Sequence, residues 1–175
     1  MSEPSALFAK ICMSEGACRK WLASPIKYIS DYDDWPMMNP TAARNHGDWT
    51  GRPVGDFMSV QEFLDSIADE SRYFCCEYDD ELGAFFIADA KYRSSMAEIA
   101  SGISALRGAE SFKDDDEPSF IYIFPAMSGG DPEALLEVKR GRSGFLPPND
   151  KSPEVLYFAN EAEEFIEELL GDDDE

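Results

Sequence analysis

Apolar residues fall into short runs and stripes along the chain, and their spacing predicts most of the elements. After Pro4, the residues Leu7, Phe8, Ile11 and Cys12 follow at helical spacing and Gly16 offers a stop, so a short first helix is expected. Residues 26–29, after Pro25, read as a brief strand. Ser59 and Glu62 form a capping-box pattern ahead of Val60, Phe63, Leu64 and Ile67, which predicts a helix ending near Glu70. Ser95 and Glu98 repeat the pattern before Met96, Ile99, Ile103 and Leu106, with Gly108 just past the end.

Strand signals are grouped as neighbours. Residues 73–78 and 84–90 are apolar runs joined through Asp79, Asp80, Glu81, Leu82 and Gly83, a connection suited to an antiparallel hairpin. The unbroken run 120–124 suits a central strand. Residues 135–138 and a shorter run near Phe145 flank Lys139, Arg140, Gly141 and Arg142, which predicts a second hairpin with a basic tip. Residues 155–158 read as a last strand, followed by a helix capped by Asn160, carrying Phe165, Ile166, Leu169 and Leu170 and ending at Gly171. Strands in hairpins, not alternating one for one with helices, indicate an α+β fold: an antiparallel sheet with helices packed against it, in a single two-layer domain over residues 1–171. Residues 172–175 form an acidic C-terminal tail.

Between residues 31 and 58 the rhythm breaks down. Pro36, Pro40, Gly47, Gly51, Pro53 and Gly55 punctuate a segment that also holds Trp35 and Trp49, so a long ordered loop is expected.

Charge changes this picture most. The 175 residues carry 15 Lys and Arg against 36 Asp and Glu, a formal net charge of −21 at pH 7. Residues 1–60 hold six bases and seven acids; residues 61–175 hold nine bases and 29 acids. Nucleic-acid backbones and anionic membranes are poor partners for such a chain, because both require Lys and Arg to neutralise phosphate. A basic partner is the natural complement. The N-terminal residues lead into no apolar run long enough for a signal sequence or a membrane span, so a cytoplasmic protein is expected.

Motifs for catalysis or cofactors do not emerge. The sole histidine, His46, lies beside Asp48, but sequence neighbours rarely adopt the geometry of a base and its orienting carboxylate. Cys12, Cys18, Cys75 and Cys76 lack zinc-site spacing and a disulfide pattern, and are expected to be free thiols. The acids Asp31, Asp33 and Asp34, and Asp114 to Glu117, lack the alternation and central glycine of a calcium loop. Gly47, Gly51 and Gly55 are not completed by the Lys-Ser or Lys-Thr pair of a phosphate loop, and no serine sits in a nucleophile elbow. No cofactor or metal is expected.

These observations point to a non-enzymatic protein that neutralises a basic protein, such as a toxin or nucleic-acid-binding enzyme, by presenting carboxylates to its Lys- and Arg-rich groove. In size, acidity and lack of a catalytic motif the chain resembles bacterial immunity proteins; the likeness is one of composition and carries over no residue. The expected partner-binding residues are Asp79, Asp80 and Glu81 on the first hairpin, and Asp114, Asp115, Asp116 and Glu117 between a helix and a strand. Three alternatives belong beside it: an acidic mimic of DNA, a chaperone or adaptor for secretion, and an enzyme built on the His46 loop.

Overall fold

The computed structural model describes residues 4–38, 57–93, 95–127, 129, 131–147 and 149–171. His46, Trp49, the three spaced glycines and the acidic tail lie outside the described residues.

Six strands form one antiparallel sheet: β1 (Ser5–Cys12), β2 (Phe74–Asp79), β3 (Ala84–Arg93), β4 (Ser119–Phe124), β5 (Ala134–Lys139) and β6 (Arg142–Phe145), in the spatial order β2-β3-β1-β4-β5-β6. Among the described residues four α-helices pack against it: α1 (Glu15–Leu22), α2 (Val60–Glu70), α3 (Met96–Arg107) and α4 (Pro153–Gly171). The α+β class is as expected. The helices are divided between the two faces, so the sheet becomes the middle of three layers.

Strand alternation explains this division. Leu7, Ala9 and Ile11 of β1 join one core with Trp21, Leu64, Ile67, Ile99 and Ile103 from the first three helices. Ala6, Phe8 and Cys12 join the other, with Phe158, Ala162 and Ile166 of α4. Both faces of β1 are therefore dry, which is unusual for an antiparallel sheet.

That double burial corrects the expected first helix. Because a strand buried on both sides needs no polar alternation, Leu7, Phe8, Ile11 and Cys12 satisfy helical spacing by coincidence. They belong to the central strand, paired with β3 through Phe8 and Ala88 and with β4 through Phe8 and Tyr122. The helix comes later, at α1, where the Ser14 hydroxyl accepts from Ala17 N at 3.1 Å as a cap.

A second correction concerns residues 155–158, which are not a strand. Val155, Phe158, Ala162 and Ile166 recur at steps of three and four and form the buried stripe of one 19-residue helix, with Pro153 in its first turn. Asn160 is therefore interior to the helix and not its cap. Phe158 sits 5.4 Å from the Phe8 ring and 5.1 Å from Phe120, fixing α4 across the centre of the sheet. Residues 26–29 form no strand; Ile29 begins a single 3-10 turn, Ile29–Asp31.

The remaining elements follow their sequence signals. Glu62 N donates to Ser59 Oγ at 3.2 Å, while the Glu62 carboxylate accepts from Met58 N, one residue earlier than a reciprocal box would place it. Ser95 precedes α3 without a side-chain cap.

Candidate functional site

All seven acids expected to bind a partner gather at one end of the sheet, where β1 terminates. The β2–β3 turn and the 113–118 segment are distant in sequence, and residues 13–14 join them. Met13 N donates to Gly83 O at 3.1 Å, and the Tyr78 hydroxyl donates to Met13 O at 2.9 Å. Ser14 N donates to Asp114 Oδ1 at 2.9 Å, and the Ser14 hydroxyl donates to Asp114 Oδ2. Glu15, in the first turn of α1, adds an acid from outside the two acidic runs. Burial pushes the Tyr78 phenol above its ordinary value, and Asp80, Glu15 and Asp114 around it push the same way.

The acids divide into two kinds. Asp79, Asp114 and Asp115 hold the local backbone. Asp79 Oδ1 accepts from Glu81 N at 2.9 Å and Leu82 N at 3.0 Å, shaping the turn that Gly83 closes at a φ of 61°. The Asp114 carboxyl is held below the usual carboxylate range, first by the Ser14 hydroxyl and then by the Ser14 N–H. Asp115 Oδ1 accepts from Glu117 N at 3.2 Å and from Lys113 Nζ at 3.1 Å. By contrast Asp80, Glu81, Asp116 and Glu117 are exposed, and Asp116 approaches Arg140 Nε only at 3.5 Å with 89% of its side chain open to water.

Lys113 makes this arrangement rigid. Its side chain is wholly excluded from solvent, and Nζ donates among Cys12 O, Ser119 Oγ at 2.9 Å, Glu117 O at 3.0 Å and the Asp115 carboxylate. A buried ammonium is tolerated only with such a full set of acceptors. The loop therefore closes around a cation and turns Asp116 and Glu117 outward. Arg140, on the β5–β6 hairpin, adds an outer tie by donating to Asp114 O at 2.9 Å.

No family model, curated protein or solved structure matches this chain. The chemistry of the site therefore rests on its own geometry.

The other candidate groups are occupied structurally or lie inertly. Asp34 receives both terminal nitrogens of Arg107, at 2.7 and 2.8 Å, and Asp31 accepts from Tyr28 N at 2.7 Å. Among the described residues no cluster of three or more His, Cys, Asp and Glu side chains could hold a metal ion. All four cysteines are free thiols; burial raises Cys12 despite nearby Lys113 and Lys10, and raises Cys18 to about 11. None is an activated thiolate. No helix among the described residues is long and apolar enough to cross a membrane.

Proposed function

We propose that this protein is a non-enzymatic inhibitor that binds a basic protein partner, in the manner of an immunity protein that neutralises a toxin. The observation supporting the reading is the convergence of two acidic turns, distant in sequence, on residues 13–14 at one end of the sheet. Acids that merely aided solubility would gain nothing from being held in register; carboxylates that must meet Lys and Arg on another surface would. Asp80, Glu81, Asp116 and Glu117 supply the contacts, and Asp79, Asp114, Asp115 and Lys113 position them. The four free thiols suit a reducing cytoplasm, where such a partner would be met before export or after entry.

The test begins with the immobilised protein as bait and proceeds to the purified partner. Titrating the partner's activity against this protein should give stoichiometric loss, and the combined variant Asp80→Asn, Glu81→Gln, Asp116→Asn, Glu117→Gln should inhibit far more weakly. Equal inhibition by that variant would remove the acidic end from the account.

A further inference from the structure

Beside the acidic end, on the face covered by α4, lies a cavity of about 370 Å³ between the ends of β1 and β4 and the first turns of α4. Resting on the proposed function, we infer that this cavity receives one arginine side chain of the basic partner. Its walls are rings: Phe120 and Phe158 are buried below, and Tyr157 stands on the rim with 71% of its surface exposed. Among the described residues Glu117, Glu154 and Glu161 bring three carboxylates to the lining, against one cation, Lys10. Lys10 Nζ is already 3.6 Å from Glu161, and among the described residues neither Glu117 nor Glu154 forms an ion pair.

An apolar slot with surplus negative charge at its mouth matches a side chain that is greasy along its stem and cationic at its tip. Arginine fits better than lysine, because its planar guanidinium stacks on an aromatic face while keeping its in-plane N–H groups for carboxylates. The volume is near the lower end for small-molecule sites, which suits one long side chain. An anion is disfavoured even though a helix starts here, since Pro153 offers no N–H and Glu154 occupies the first turn. Glu117 lies both in the acidic loop and in the cavity wall, so an anchored arginine would sit at the edge of the proposed interface.

The experiment is an amide NMR titration of the full chain with N-acetyl-arginine amide, N-acetyl-norleucine amide and N-acetyl-glutamate amide at physiological salt. The arginine compound should give saturable shifts at Lys10, Cys12, Phe120 and Tyr157, weakened at least severalfold by Glu117→Gln with Glu154→Gln and by Tyr157→Ala. Equal response to norleucine would make the cavity merely apolar, a stronger response to glutamate would make Lys10 an anion site, and silence towards arginine would leave no slot; each overturns the inference. Asp80→Asn with Glu81→Gln and Asp116→Asn should leave the arginine titration intact. Loss of partner binding in that variant beside a silent cavity would sink the slot and spare the function. Arginine shifts without any effect of that variant on the partner would do the reverse.

Discussion

Asp114 accepts hydrogen bonds from both the backbone N–H and the hydroxyl of Ser14, the residue that caps α1. An acid in a loop one hundred residues away thus fixes the start of the first helix, and is not free for a partner in the way its exposure suggests.

One consequence is a pH signature. Because Ser14 lowers the Asp114 pKa in the folded state, its stabilisation is present above the unfolded value, roughly 3.9, and is lost as pH falls through the lower folded value. Asp114→Asn should therefore melt below the wild type at neutral pH, with the gap closing in strong acid. Ser14→Ala, which removes the cap itself, should cost about 0.5–2 kcal/mol. Thermal melts across pH check both, and a gap that widens as pH falls would contradict the assignment.

Lys113→Met tests the loop's internal support. The methionine can fill the buried space but leaves Cys12 O and Glu117 O without their ammonium donor, while Ser119 Oγ keeps the Cys12 N–H at 2.8 Å; each group left unsatisfied costs roughly 1–3 kcal/mol. The variant should lose about 3 kcal/mol in a denaturant melt. Hydrogen exchange should quicken at residues 114–117 before the sheet is affected.

Asp89 predicts the opposite pH trend. It is fully buried in β3; Oδ1 accepts from the Ser71 hydroxyl at 2.8 Å and from Lys91 N at 3.0 Å, while Oδ2 has no hydrogen-bond partner among the described residues. Burial raises its pKa, so the folded state holds its proton to higher pH than the unfolded chain does, and stability linked to this group rises as pH falls through the raised value towards about 3.9. Asp89→Asn keeps the Oδ1 bonds and removes the titration. Wild type should thus gain on the variant in melting temperature as pH falls from neutral towards about 3.9; a difference that stays constant over that whole range would contradict a raised pKa.

The sequence made the hairpins legible because their signals are local. Gly83 and Gly141 both adopt positive φ in short connections between apolar runs. The central strand was misread because Phe8 and Cys12 face one core while Leu7 and Ile11 face the other, and that tertiary fact removes the alternation that marks a strand. At the site, the seven acids could be named from charge and punctuation. The role of Lys113 could not, since a lysine at the head of four acids reads as a solvated counter-charge until Cys12 and Ser119 are seen to enclose it. Arg107 was missed likewise: buried at the end of α3, it ties Asp34 to Ser143 O, reached at 3.0 Å, and stacks 3.9 Å from the centre of Tyr32. The cavity required α4 to be one helix, which the break imposed at residue 158 concealed.

The most direct measurement is the association and dissociation rates of the purified basic partner, taken over a salt series, for three forms of the protein. These are the wild type, a deletion of residues 172–175, and the combined variant Asp80→Asn, Glu81→Gln, Asp116→Asn, Glu117→Gln, whose side chains carry little of the fold. Exposed charge steers encounter and is screened beyond about 8 Å at physiological salt, so the wild-type association rate should fall steeply with salt and tail deletion should mainly slow association. Carboxylates desolvated against Lys or Arg are worth about 2–5 kcal/mol when lost, so the combined variant should dissociate at least about tenfold faster, with an unchanged or raised melting temperature. A combined variant that dissociates at the wild-type rate would place the interface elsewhere and contradict the central claim.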